Sequence, residues 1–198
     1  MYFARYKAIQ QCIKMQHLIK ERDDEKITFT WIHGPPGTGK THLAKQLCGG
    51  TYQNDMWTNK DAWYEYNEFN KDLWNNYKGE ENIYIHDHTG SSKFISFASL
   101  LAITEKGRCR LRCLYGTVEM RAHNIVVTSN HSPKEAYKGQ SKIRKDALYR
   151  RITKVIYMPE KRPEIGTGKP KMVKIIDGQE IPMDESSDHE ESDNDTID

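Results

Sequence analysis

At 198 residues, with 36% hydrophobic and 29% charged residues and a formal net charge of +2, the chain has room for one domain with a real core and not for two large ones. Its apolar runs stop far short of the roughly 20 residues that cross a bilayer, which predicts no membrane span. The charge is unevenly spread: eight of the 28 acidic residues lie between Asp184 and Asp198, where Lys and Arg are absent, so the rest of the chain sets 30 basic residues against 20 acidic ones. Such an excess favours a polyanionic partner.

The N-terminus mixes Arg5, Lys7 and Lys14 with apolar residues but has neither an unbroken apolar segment nor a small-residue cleavage pattern, so secretion is not expected. Phe3 to Lys20 carries apolar residues at helical spacing and predicts a helix ahead of the core. Ile27 to Ile32 predicts the first strand, which ends at Gly-Pro-Pro, and His42 to Leu47 continues a helix that Gly49-Gly50 stops. Ile83 to Ile85 is a short apolar strand ending at His86-Asp87, and Phe94 to Thr104 predicts a helix turning Phe94, Phe97, Leu100 and Leu101 inward. Arg108 to His123 has two β-prone arms around Tyr115-Gly116, the mark of a hairpin. Ile125 to Thr128 is a further buried strand, Ile143 to Arg151 a helix and Thr153 to Met158 a strand. Strands alternating with helices imply an α/β fold with a mainly parallel central sheet. From about residue 163 the composition turns to Pro, Gly and Lys and then to acidic residues and Ser. The expected division is an N-terminal helical segment over 1–26 with a possible role in oligomerisation, an ATPase domain over 27–162, and a linker and acidic disordered tail over 163–198.

The strongest chemical signal is Gly34-Pro35-Pro36-Gly37-Thr38-Gly39-Lys40-Thr41, which fits G-x-x-x-x-G-K-[ST] between a predicted strand and a predicted helix. Glycines let backbone N–H groups close round phosphate oxygens while the helix aims its positive end at them, so Gly34 to Thr41, with His42 behind, are the expected ATP-binding residues of a P-loop nucleoside triphosphatase. Lys40 is expected on the β- and γ-phosphates and the Thr41 hydroxyl on Mg²⁺. Asp87, ending the neighbouring strand, is the expected second metal-side residue. A second carboxylate to activate the attacking water is missing beside it, so either His86 or one of Glu65, Glu68 and Glu80 takes that part. Asn130, ending the next strand, is placed to meet the γ-phosphate and the lytic water. Cys109 and Cys113 with His86 and His88 form a weak zinc pattern, and free thiols are the better reading.

The order P-loop, apolar-Asp87, hairpin, apolar-Asn130, then Ala147-Leu148-Tyr149-Arg150-Arg151 resembles the superfamily 3 helicase domain of viral replication-initiator (Rep) proteins, most of all those of circoviruses and related viruses with circular single-stranded DNA. Trp74, Tyr77, Gly79 and Glu80 are also similar to that family's approach to its second motif, and the likeness spans about residues 27–158. The resemblance implies an AAA+-like ATPase that assembles as a homo-oligomeric ring, commonly a hexamer, and moves along single-stranded DNA with 3′ to 5′ polarity. It implies that Arg150 or Arg151 reaches the neighbouring subunit's γ-phosphate, and that the protein works inside an infected cell, in the cytoplasm or, as the resemblance favours, the nucleus. The family's usual acidic pair is replaced here by His86-Asp87, and its usual basic residue at the hairpin turn by Leu114-Tyr115-Gly116. Contact with nucleic acid is then expected from Lys106, Arg108, Arg110, Arg112 or a stacking Tyr115. The nicking domain of a full initiator has no counterpart before Lys26, so nicking is not expected. Two alternatives stand beside a DNA translocase: a catalytically weak nucleotide- and nucleic-acid-binding assembly protein, and an RNA-directed viral ATPase.

Overall fold

In the computed structural model, residues 22, 26–66, 74–90, 95–113, 116–159, 171–176 and 179–182 are described. Strand β1 (Thr28–His33) lies at the centre of the main sheet because its residues from Phe29 to His33 are buried, with Phe29, Trp31 and Ile32 fully shielded from solvent. A strand buried on both faces belongs in a parallel sheet covered on both sides. β8 (Asn124–Ser129) and β9 (Lys154–Tyr157) flank β1 in parallel, β5 (Asn82–Ile85) pairs with β8, and β4 (Trp63–Tyr66) pairs with β5. The parallel part therefore runs β9-β1-β8-β5-β4, with the ends of β1, β5 and β8 side by side at one edge. Ligands of open α/β sheets bind at that carboxyl edge.

One face of the sheet carries helix α1 (Lys40–Leu47), packed through Ala44 and Cys48 against Ile32, Tyr84, Val126 and Ile156. Burial pushes the Cys48 thiol up to about 12. The other face holds the larger core, where Phe29, Trp31, Ile83, Ile85, Ile125 and Val127 meet α2 (Phe97–Thr104). Ser96 caps α2, its hydroxyl accepting from the Ser99 N–H at 3.0 Å, so the helix begins at Phe97 rather than at Phe94, which lies outside the described residues. Leu100 is fully buried and Leu101 half-buried. Tyr77 fastens the approach to β5: its hydroxyl accepts from the Arg121 and Ala122 N–H groups and donates to the Glu80 carbonyl, all within 3.0 Å. The expected hairpin forms from β6 (Arg110–Cys113) and β7 (Gly116–Glu119), joined at Leu114-Tyr115, which are outside the described residues.

Four features went unread in the sequence. β4 is one. A second hairpin, β2 (Thr51–Gln53) with β3 (Met56–Thr58), turns at Asn54-Asp55, both at positive φ as a two-residue primed turn requires. Short helix α3 (Pro133–Ala136) is closed by a capping box between Ser132 and Glu135. The fourth is a correction to the linker and tail over 163–198. β10 (Lys171–Ile176) pairs antiparallel with β9, and β11 (Gln179–Pro182) with β10, so the sheet extends by two strands beyond the expected boundary. The physical reason is apolar content: Val173 joins the core and Ile175 packs against it, which outweighs the Pro, Gly and Lys around them. The predicted helix over Phe3 to Lys20 and the acidic residues from Asp184 lie outside the described residues. Arg22 is described, and its guanidinium donates to the Ile103, Glu105 and Ala122 carbonyls, which ties it to the C-terminal end of α2.

Candidate active site

The loop between β1 and α1 is shaped by contacts that forbid most side chains. Gly34 has φ +146, and a Cβ there would lie 2.3 Å from the Met158 carbonyl oxygen at the end of β9. The Thr38 hydroxyl, fully buried, donates to the Pro35 carbonyl at 3.0 Å and closes the loop on itself. Among the described residues no side chain caps the first turn of α1, and the helix dipole favours an anion there. A cavity of about 420 Å³ opens in front of this turn, lined by residues 37–42 together with Tyr52 and Trp57.

Lys40 projects from the first position of α1 and is buried, and its Nζ donates to the carbonyls of Gly34 and Pro35, each at 2.7 Å. Burial lowers its pKa, and the carboxylate of Asp87 opposes that shift. Asp87 follows β5 in the left-handed region, at φ +47, and its N–H donates to the Thr128 hydroxyl at 3.0 Å. Thr128 lies in β8 and also meets the Tyr84 hydroxyl at 3.2 Å, while the Thr41 hydroxyl bonds the same tyrosine. Asn130, just past β8, donates from Nδ2 to Asp87 Oδ1 at 3.3 Å. The structure thus gathers Lys40, Thr41, Asp87 and Asn130, which the sequence scatters over 91 positions, at the ends of three adjacent strands.

The candidates for a water-activating group separate by position. Glu80 lies ahead of β5, at the opposite end of that strand from Asp87, and its carboxylate accepts from the Lys78 N–H at 2.8 Å. Glu65 is 3.3 Å from Lys45 on α1. Glu68 is outside the described residues. His86 stands beside Asp87, half-buried, with its ring 5.7 Å from that of Tyr84.

His88 plays a different part. It is 1% exposed, its ring lies edge-on to Trp31 at 5.8 Å, and its Nε2 is 2.5 Å from the Tyr137 hydroxyl. Burial holds its pKa down to about 4, against 6.5 for a free imidazole. Between those values the unfolded chain binds a proton that the folded chain refuses, so stability falls as pH drops from 6.5 to 4, by about 3 kcal/mol. Denaturant melts across that window are expected to show this slope, and His88→Gln, which keeps a polar partner for Tyr137, to flatten it. Cys109 and Cys113 are buried free thiols, and among the described residues no group of three or more His, Cys, Asp and Glu side chains is gathered to hold a metal.

Mg²⁺ suits the donors that are gathered. It binds through one or two carboxylates plus substrate phosphates and keeps several waters, rather than needing an all-protein cage. The Thr41 hydroxyl and the Asp87 carboxylate, both hard oxygen donors, are the residues that would hold it.

The two arginines differ. The Arg151 guanidinium pairs with Glu105 and donates to the Ala147 carbonyl at 2.6 Å. Arg150, which caps α4 (Lys142–Tyr149), is exposed. Both line a surface cavity of about 340 Å³ with Lys106 and Thr153. In β6, Leu111 and Cys113 face the core, leaving Arg110 and Arg112 exposed. Lys106 and Arg108 are exposed as well, and Arg108 pairs with Glu119 across the hairpin. Tyr115 lies outside the described residues.

The chain is similar to several viral replication proteins. Over 154 residues, 77% of the chain, it is 28% identical to the replication-associated protein of Porcine circovirus 1, of which it covers 44%. To the protein of that name from Porcine circovirus 2 it is 28% identical over 157 residues, 79% of the chain and 45% of the relative. To that of Pigeon circovirus it is 30% identical over 131 residues, 66% of the chain and 36% of the relative. The chain spans less than half the length of these curated relatives. No helix among the described residues is long and apolar enough to cross a membrane. The family described as RNA helicase matches residues 30–131, from within β1 to just beyond Asn130. That match takes in more than half of the chain, which therefore belongs to the RNA helicase family, as a superfamily 3 helicase domain of the circovirus Rep type.

Proposed function

We propose that the protein is an ATP-driven translocase on single-stranded DNA, acting in replication of a circular single-stranded DNA virus and working as a homo-oligomeric ring, commonly a hexamer. The observation that carries this reading is the meeting of Lys40, Asp87 and Asn130 in front of the uncapped first turn of α1. In the proposed mechanism the N–H groups of Gly37 to Thr41 receive the phosphates, and Lys40 leaves the Gly34 and Pro35 carbonyls for the β- and γ-phosphate oxygens. Thr41 and Asp87 would hold Mg²⁺, which when bound would offset negative charge on the phosphates. The Asp87 carboxylate orients the Asn130 amide toward the lytic water, and His86 is the group assigned to polarise that water, since Glu65 and Glu80 are held elsewhere. Arg150 reaches the γ-phosphate held by the neighbouring subunit. The DNA strand lies along Lys106, Arg108, Arg110 and Arg112, whose exposure suits phosphate contacts. The setting is an infected cell, with the nucleus favoured over the cytoplasm.

The test is ATP hydrolysis in Mg²⁺ as a function of protein concentration, with and without single-stranded DNA. Turnover per chain is expected to rise with concentration as sites are completed in trans, and to rise again with DNA. Flat turnover that ignores DNA would sink the translocase reading and leave a weak nucleotide-binding assembly protein. The family description favours a second reading, an ATPase directed by RNA. Unwinding of matched DNA and RNA duplexes separates the two.

A further inference from the structure

The β2–β3 hairpin is too short to be explained by its own hydrogen bonds. Thr51, Gln53, Met56 and Thr58 are exposed, and only Tyr52 and Trp57, directly opposite one another in the register, turn toward the body of the protein. A two-stranded hairpin of three residues per strand is marginal in water, so these two rings carry the attachment. Their centroids are 5.2 Å apart, and the His42 ring on α1 sits 5.0 Å from Tyr52 and 4.8 Å from Trp57.

This cluster does not close on itself as a core would. Tyr52 and Trp57 line the cavity that opens from the phosphate loop, and among the described residues Lys40 is the only Lys, Arg, Asp or Glu on its wall. Of the four tryptophans, Trp31, Trp63 and Trp74 are at most 7% exposed, whereas Trp57 is half-buried. Its indole is nonetheless fixed in place. It lies edge-on to Trp63 at 6.3 Å, and a Cβ on Gly50 would lie 2.8 Å from the Lys45 carbonyl oxygen, 2.9 Å from the Trp63 ring and 3.0 Å from the Trp57 ring. One cavity lined by both a partly open aromatic pair and a polyphosphate cradle suits the two parts of a nucleotide.

We infer that Trp57 and Tyr52 form the base-stacking wall of this site and receive the heterocyclic ring of a nucleoside triphosphate whose phosphates rest on the loop from Gly34 to Thr41. The inference rests on the proposed nucleotide reading and deepens it. The loop and Lys40 address only phosphates, and the affinity for a nucleoside over a bare polyphosphate comes from the hairpin. Stacking tolerates any base, because each presents a π-face.

The full chain in Mg²⁺ is titrated with ATP and with tripolyphosphate while tryptophan emission is followed, and affinities are measured independently by calorimetry. ATP is expected to quench emission and tripolyphosphate to leave it unchanged. Trp57→Ala is expected to weaken ATP binding about 5- to 150-fold, the span of one base–aromatic stack, with tripolyphosphate affinity kept. Trp57→Phe should recover most of the ATP affinity while losing the quench. If wild-type protein binds ATP and tripolyphosphate equally well, or Trp57→Ala weakens both alike, the stacking role is overturned while the phosphate cradle stands. Binding of neither would overturn the nucleotide reading and this inference together. A quench produced by an oligonucleotide and not by ATP would assign the rings to the nucleic-acid strand and overturn the inference as well.

Discussion

Arg150→Ala is expected to lower ATP turnover by about 10³- to 10⁵-fold, the range an arginine acting on a neighbour's γ-phosphate spans. The neighbouring Arg151→Ala is expected to leave most of it. The difference lies in what each guanidinium already does within its own subunit. Arg151 is held by Glu105 and by the Ala147 carbonyl, whereas Arg150 stands exposed at the end of α4. Loss of the Arg151 pair, whose Glu105 side chain is 56% exposed, costs about 1 kcal/mol or less and is read as a small fall in melting temperature. A mixing experiment isolates the trans role. Arg150→Ala and Lys40→Ala chains, each inactive alone, should regain part of the turnover when combined, because an Arg150→Ala subunit keeps its phosphate loop and receives Arg150 from its Lys40→Ala neighbour. No recovery on mixing, or the reverse ranking of the two arginines, would refute the assignment.

Lys40→Ala should remove hydrolysis itself, by about 10²- to 10³-fold or more, as expected when a donor aimed at developing charge is deleted. Its amine is already inside the loop, bonded to two carbonyls that a bound phosphate would replace. Folding should lose about 1–3 kcal/mol, because water can reach the exposed Pro35 but the buried Gly34 carbonyl is left without its donor. Phosphate release measured beside a thermal melt distinguishes the two effects. Turnover near that of wild type would remove the loop from the mechanism.

Signals that are local in the chain were legible. GPPGTGKT declares its turn and its helix within eight residues, and the apolar strands ending at Asp87 and Asn130 identify themselves by burial pattern and a polar stop. What stayed hidden depends on distant partners. Arg150 and Arg151 are indistinguishable as neighbours in sequence, and Glu105, far back along the chain, separates them. Glu65, Glu68 and Glu80 stood in the sequence as alternatives to His86, and only the fold shows Glu80 ahead of β5, away from Asp87, and Glu65 beside Lys45. β2 and β3 escaped because three-residue strands with one inward ring each show too little alternation to register. β10 escaped because composition averaged over a window drowned Val173 and Ile175.

That last strand pair bears on how the protein can be shortened. His33, the residue before the phosphate loop, stacks on Tyr157 at 5.1 Å, and its Nε2 lies 3.2 Å from the Glu180 carboxylate of β11. Truncation after residue 162, where composition alone would cut, removes that carboxylate and strips the backbone partner from β9. An unpaired strand edge beside Val155 and Ile156 is a template for pairing with another chain. Such a fragment is expected to aggregate instead of yielding a smaller working domain, and ending the chain beyond Pro182 is expected to keep it in solution.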